Sequence, residues 1–275
     1  MTAAPASETP SEASPGLPFR VVFLEATTST NDEVKRALEA DEPEGLVVRA
    51  KRQTGGYGRQ GRAWASPEGG LYMSLLLRPR VEAAALPTLS LVVGLAVRQA
   101  AASLVPREAA DAVRVKWPND VVVVAGEANA PQSAKLCGIS VEVHAGGVCV
   151  GCGVNVLPPA EPQPIGGKNT PAYLADLAAP SAFPVSSALI DAVREAILRE
   201  FAPLYVRWQA EGFAPLARAF NGCASLIGQQ VRIANHAGAV TAEGQVVRID
   251  ECGRLVIRTS DGTESPQFSG EAHLV

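Results

Sequence analysis

The residues best able to do chemistry in this chain are cations gathered among glycines. Between Arg49 and Arg62 lie five basic residues, four glycines and no acidic residue. The chain as a whole is acidic, with 24 Lys+Arg against 28 Asp+Glu and a net charge of -4, so this run is a local anion trap and not part of a general positive field. Glycines let the backbone approach a ligand and aim N–H groups at it, and Arg59 and Arg62 can each grip phosphate oxygens with two parallel hydrogen bonds. Phosphate or a nucleotide is the guest that fits; a basic hairpin tip without a ligand is the alternative. The spacing matches neither the GxxxxGK(S/T) phosphate loop nor the GxGxxG dinucleotide fingerprint.

Other groups could join this one. Lys116-Trp117-Pro118-Asn119-Asp120 puts an amide and a carboxylate at the start of a strand, after a proline turn. There Asp120 could hold a metal, orient an amine or cap the turn. Lys135 leads the strand Leu136 to Glu142, where a lysine is either a solvated edge charge or a point charge for phosphate or carboxylate. Asn155 closes the run Gly151-Cys152-Gly153-Val154, whose missing side chains leave room for a flat ligand. Cys149 and Cys152 form a CxxC, but three apart on a strand they face opposite ways, and no second pair or nearby histidine completes four metal ligands. His144, His236 and His273 lack HxxxH spacing, so metal-hydrolase chemistry has little support.

These residues need a scaffold, and apolar periodicity, glycine and proline mark one out. Phe19 to Leu24 reads as a strand and Thr27 to Asn31 as a polar turn into a helix. Thr30 with Glu33 is a capping-box pattern and Val34, Ala37 and Leu38 give the apolar face, so Ser29, Thr30 and Asn31 sit at a helix N-terminus. Leu46 to Ala50 and Leu71 to Leu77 read as strands on either side of the loop Gln53 to Arg62. Leu86 to Leu104 reads as a buried helix, and Val113 to Trp117, Val121 to Val124, Leu136 to Val143 and Val148 to Val156 as strands. Such a series predicts a sheet built largely from neighbours. Ser186 to Gln209 has the spacing of a long amphipathic helix with Val193, Ile197 and Phe201 inward, which Pro203 is expected to break or kink. A shorter helix, about Pro215 to Phe220, follows. After Gly222, short β runs punctuated by glycine turns predict a β-barrel of about fifty residues, near the smallest size that folds alone. The division is then a tail at 1–18, a main unit at 19–221 and a barrel at 222–275.

With 275 residues, 47% hydrophobic and 19% charged, the chain can bury one large core or two unequal ones and is too apolar for a disordered protein. Its acidic balance removes general affinity for nucleic acid or anionic lipid. No uninterrupted apolar run approaches the roughly 18 residues of a membrane helix. The first eighteen residues, rich in Ala, Ser, Pro and Glu, read as a disordered tail without the basic start and apolar run of a secretion signal. Five scattered cysteines make no disulfide framework and point to a reducing compartment, the cytoplasm by default.

Taken together, the motifs resemble those of biotin–protein ligases. That family has an STN helix start, a GRGRxGR loop, a KWPND turn and a KLxGI strand. Here Ser29-Thr30-Asn31, Gly56 to Arg62, Lys116 to Asp120 and Lys135 to Ile139 follow in the same order and rough spacing, with a GxGxN from Gly151 to Asn155. The likeness runs from about Phe19 to the C-terminus. It implies an α+β fold, a mixed and mostly antiparallel sheet with flanking helices like that of class II synthetases and lipoate ligases, plus a small C-terminal SH3-like barrel. It also implies that ATP converts biotin to biotinyl-5'-AMP and that biotin then passes to a lysine of a biotin carboxyl carrier protein.

By the same resemblance, biotin is expected on Ser29, Thr30, Asn31, Gln53, Gly55, Gly56, Lys135 and Gly138. ATP or the adenylate is expected on Arg59, Arg62, Trp64, Lys116, Asn119, Lys135 and Asn155, with Mg2+ carried by the nucleotide on unassigned ligands. Lys135, Arg59 and Asp120 are the expected catalytic residues: the two cations neutralise accumulating charge, and Asp120 orients the acceptor amine or takes its proton. Two departures stand out. Tyr57 replaces the arginine usual after the first glycine of the loop, and the connection Ala125 to Ala134 is longer than usual, which bears on the register of Lys135. Family members that repress transcription carry an N-terminal helix-turn-helix; only about eighteen residues precede the first strand here, so ligase activity without operator binding is expected. A lipoate or octanoate ligase or transferase of the same fold is one alternative, and an RNA- or protein-binding module is another. Monomer and homodimer are both compatible with the sequence.

Overall fold

The structure, a computed structural model, describes residues 17–126, 132–159, 170–178 and 187–275. The elements run β1 (Arg20–Thr27), α1 (Thr30–Glu39), β2 (Leu46–Gln53), β3 (Leu71–Leu77), α2 (Leu89–Ser103), α3 (Arg107–Ala110), β4 (Val113–Lys116), β5 (Asp120–Ala125), β6 (Gln132–His144) and β7 (Gly147–Val154). Then follow α4 (Leu174–Leu177), α5 (Ser187–Glu211), α6 (Ala214–Cys223), β8 (Gln230–Ala234), β9 (Val240–Ile249), β10 (Leu255–Arg258), β11 (Glu264–Gln267) and β12 (Glu271–Leu274). Most of the expected tail, and 127–131 of the long connection after β5, lie outside the described residues.

The first seven strands form one sheet in the order β1-β2-β3-β7-β6-β5-β4. β1 and β2 are parallel, joined by the α1 crossover that such a pair requires; the other pairings are antiparallel. This is the mixed, mostly antiparallel sheet that was expected. Strand alternation then sorts the side chains. Met73, Leu75, Val150 and Cys152 join the main core with Val92 and Leu95 of α2 and Val193 and Ile197 of α5. Val48, Leu76 and Cys149 turn to the other face, under Val34 and Leu38 of α1. The two cysteines of the CxxC thus belong to different clusters, as a period of two dictates. Beyond the start of α1 that second face carries Gly138, Gly151 and Gly153, and the main cavity lies against them.

Two helices depart from expectation. The segment expected from Leu86 opens as a 3-10 turn over Ala83–Thr88 with Pro87 inside, so the α-helix starts at Leu89. By length and composition Ala83–Ser103 could cross a membrane; here it packs against α5 and the sheet, with Leu89 to Val97 buried. α5 runs unbroken through Pro203. Phe201, Tyr205 and Trp208 form a stacked ladder across that position, with ring centres 5.2 and 5.8 Å apart. Pro203 itself is exposed, as is Arg199, whose carbonyl is the one deprived of a helical donor, so the missing bond falls on the solvent side of the helix.

The last five strands make a separate antiparallel sheet, ordered β11-β10-β9-β8-β12, in the place expected for the small barrel. Register shifts at Val256/Ile257 and Ile233/Ala234 bend such strands. Its apolar face does not stand alone: Val231, Ile233, Val246, Leu255 and Ile257 belong to the same core cluster as the main sheet, and Trp117 Nε1 donates to Gly253 O at 3.1 Å.

Candidate active site

The site begins at the N-terminus of α1. Ser29 is the N-cap, its hydroxyl accepting from Asn31 N at 3.3 Å. This is one residue earlier than the capping-box pattern predicted, because the Glu33 carboxylate is taken by Thr27 Oγ1. The shift releases Thr30 for other work. Its N–H and its hydroxyl both donate to Gln53 Oε1, at 2.7 and 3.1 Å, and Oγ1 lies 2.7 Å from Ser74 Oγ. Ser74 donates to Asn31 Oδ1 (2.6 Å), and Asn31 Nδ2 donates to Ser140 Oγ and Glu142 Oε1, each at 3.2 Å. Ser29, Thr30, Asn31, Ser74 and Ser140 are all buried. A buried row of partnered hydroxyls and amides is a preorganised patch for a small polar group.

Glycines make the floor beside it. A Cβ at Gly151 would fall 2.4 Å from Asn31 Oδ1, and one at Gly153 would fall 2.7 Å from Trp64 Nε1, so neither position takes a larger residue without displacing a side chain of the site. Over the floor folds a hairpin spanning 53–66. Gln53 pairs with Ser66 and Tyr57 with Ala63; Gly58 N donates to Arg62 O (2.9 Å) and Trp64 N to Gly56 O (2.8 Å). Gln60 at the tip adopts a φ of 60°. The hairpin docks on three sides. Tyr57 OH donates to Asp32 Oδ1 of α1 at 2.7 Å, Arg59 Nη1 donates to Asn119 Oδ1 at 2.8 Å, and Arg62 pairs with Glu271 of β12.

The cationic end is assembled by strand register. β5 and β6 slip by one residue between Val121 and Val122, so that Asp120 pairs with Gly138 but Val122 with Lys135. The extra residue, Leu136, enters the main core. Lys135 Nζ comes to 2.8 Å from Asp120 Oδ1 and 5.3 Å from the centre of the Trp64 ring. Burial pushes the Lys116 ammonium and the Arg59 guanidinium below their ordinary pKa values, and the Asp120 carboxylate opposes the shift in both. Asp120 is therefore the internal counter-ion of a cluster of cations, in a setting where an entering anion would find several positive donors gathered at one cavity.

Ser29, Thr30, Asn31, Gln53, Arg59, Arg62, Trp64, Lys116, Asn119, Asp120, Lys135 and Gly138 all line one cavity of about 720 Å³, a volume usual for small-molecule sites. Three residues singled out in the sequence do not line it. Gly55 and Gly56 form the root of the hairpin through backbone bonds, Gly55 N to Thr28 O at 2.9 Å and Gly56 O from Trp64 N. Asn155 lies behind, its Nδ2 donating to Lys135 O at 2.9 Å, where it holds the lysine's backbone. Sequence reasoning missed Ser74, although a small polar residue inside the otherwise apolar and aromatic run Leu71–Leu77 was a usable signal. It also missed Arg232, Asn235, His236, Glu271 and His273, which the second sheet brings to the cavity; nothing in their local sequence marks them.

The biotin/lipoate A/B protein ligase family matches residues 23–156. The bifunctional ligase/repressor BirA of Bacillus spizizenii is 31% identical over 252 residues, covering 88% of this chain and 70% of that one. The biotin–[acetyl-CoA-carboxylase] ligase of Paracoccus denitrificans is 30% identical, covering 88% of this chain and 95% of its own length. The chain belongs to the biotin–protein ligase family. Its fold agrees: the biotin protein ligase of Aquifex aeolicus in complex with biotin and ATP matches with a TM-score of 0.74 at 28% identity, over 93% of this chain and 98% of that one. The stretch matched to the family, 23–156, contains the start of α1, the hairpin, the Lys116–Asp120 turn and Lys135. The family member's cavity residues from β8 to β12 fall outside it.

Proposed function

We propose that this chain is a biotin–protein ligase that converts biotin and ATP to biotinyl-5'-AMP and pyrophosphate, then transfers the biotin to a lysine of a biotin carboxyl carrier protein. One observation carries this: a buried polar patch, a glycine floor and a cluster of cations meet in a single cavity. Biotin offers a polar ureido ring, an apolar tail and a carboxylate in that order, and the cavity offers their complements in that order. Ser29, Thr30, Asn31 and Gln53 hold the ring, and the tail lies over Gly138, Gly151 and Gly153 to bring the carboxylate to Lys135. Trp64, Asn119 and Lys116 face the nucleotide.

In the first step a biotin carboxylate oxygen attacks the α-phosphorus and the bond to pyrophosphate breaks. Two anions must meet, so Lys135, Arg59, Arg62 and Lys116 neutralise the charge that builds up. Mg2+ arriving on ATP supplies further neutralisation; such an ion needs only one or two protein carboxylates, and Asp120 and Glu271 are the two at the cavity. In the second step the neutral amine of the acceptor lysine attacks the acyl carbon and AMP leaves. Asp120, released from Lys135 as that lysine turns to the anion, orients the amine and takes its proton. The 53–66 hairpin keeps water from the mixed anhydride between the steps. The main unit at 19–221 carries the chemistry, the barrel at 222–275 closes one side of the cavity, and the reaction belongs in the cytoplasm with its carboxylase acceptor.

Biotin-dependent exchange of label between pyrophosphate and ATP, followed by biotin transfer to a carrier domain, tests this directly. Exchange that answers to lipoate and not to biotin would overturn it.

A further inference from the structure

Of the three docking contacts of the hairpin, two use cations that the reaction needs. Arg59 must give up Asn119, and Arg62 must give up Glu271, before either can grip a phosphate. The third contact differs in kind. Tyr57 is neutral, and its hydroxyl sits between two residues of α1, donating to Asp32 Oδ1 at 2.7 Å and accepting from Lys35 Nζ at 3.1 Å. The same ammonium lies 5.3 Å from the tyrosine ring centre and 2.5 Å from Glu142 Oε2. Glu142 Oε1 in turn accepts from Asn31 Nδ2. The hairpin's near strand is thus tied at two points to one network, through Gln53 to Thr30 and through Tyr57 to Lys35, Glu142 and Asn31.

We propose that Tyr57 is a positioning residue, the fixed seat of the hairpin, about which Arg59 and Arg62 exchange their protein partners for the phosphate of the intermediate. This rests on the ligase reading above. The charge pattern supports a fixed seat. An incoming adenylate competes for guanidinium groups, which leaves Asn119 and Glu271 to be displaced, but it has no claim on a phenol already satisfied as donor and acceptor. Arginine at this position would set a second cation beside Lys35; tyrosine meets Asp32 and Lys35 at once. Because Lys35 leads through Glu142 to Asn31, the seat is also connected to the patch that holds the ring of the ligand.

The test is Tyr57→Phe, which keeps the ring over Lys35 and removes only the hydroxyl. Parent and variant are loaded with biotin and ATP and freed of excess substrate by rapid gel filtration, and biotinyl-adenylate appearing in solution is then followed with time. The variant should release the intermediate about tenfold faster, equivalent to about 1.4 kcal/mol, while its biotin-dependent exchange falls by less than about threefold and its melting temperature stays within about 4 °C of the parent's. A purely structural role would lower the melting temperature and both rates together. Lys35→Met and the double variant complete a cycle, in which release rates of the double variant no faster than those of the singles support one shared contact. Equal release from parent and Tyr57→Phe, or multiplicative effects in the cycle, overturns the assignment of Tyr57 alone. Absence of biotin-dependent exchange in the parent overturns the ligase reading instead.

Discussion

Replacing Lys135 with alanine separates what this lysine does for the fold from what it does for the reaction. Its ammonium lies 2.8 Å from Asp120 Oδ1, with side-chain exposures of 15% and 19%. Removing one partner of a fully buried pair costs about 3–5 kcal/mol, because the other charge is stranded. Asp120 is not stranded: Arg59 and Lys116 both interact favourably with it, and it lines an open cavity. The cost to folding is therefore about 1–2 kcal/mol, or a fall in melting temperature of about 2–8 °C. The reaction loses more. Arg59, Arg62 and Lys116 remain to share the charge that forms between carboxylate and α-phosphate, but losing one preorganised donor still costs about 10²–10³ in rate. Biotin-dependent ATP–pyrophosphate exchange at saturating substrates, run beside thermal melting, reads both quantities. Lys135→Arg should recover less than about tenfold of the loss, since a planar fork does not replace a point charge held between a carboxylate and an indole face. A well-folded alanine variant whose exchange stays within tenfold of the parent's refutes the charge-neutralising role.

Further expectations follow from the same geometry. Asp120→Asn should slow single-turnover transfer to the carrier lysine by about 10²–10⁴, well beyond its effect on adenylation; equal losses in both half-reactions would remove Asp120 from the transfer step. Gly153→Ala places a Cβ 2.7 Å from Trp64 Nε1, so the indole must lift from the floor, and KM for ATP should rise about tenfold with little change in melting temperature; an unchanged KM would show that Trp64 does not need the floor. Of five cysteines only Cys252 is exposed, so a thiol reagent should modify one equivalent quickly and the other four at a rate set by opening of the core; fast reaction of more than one would contradict the packing of β6, β7 or α6.

Local chemistry was legible in the chain because each motif is a short run whose residue types already restrict what it can do. The glycine-and-arginine hairpin, the Lys116 to Asp120 turn and the strand of Lys135 needed no contact with one another to be recognised, and alternation placed Cys149 and Cys152 on opposite faces before any sheet was seen. That the strands form a sheet built largely from neighbours followed from the succession of runs and turns, whereas its mixed, mostly antiparallel character was implied only by the resemblance, and the β3–β7 pairing came from the structure. Tertiary structure decided the rest, because these outcomes depend on groups far apart in sequence that compete for the same partner. Thr27 took Glu33 and moved the helix cap to Ser29, which left Thr30 for Gln53 and Ser74. A ladder of aromatic rings carried α5 through Pro203. A one-residue slip in the pairing of β5 with β6 set Lys135 on Asp120, with Asn155 spent on holding its backbone. Docking of the second sheet brought Glu271 to Arg62, a contact 209 positions apart that no local pattern encodes. Residue type determined which chemistry was possible here, and long-range packing determined which atoms were close enough to perform it.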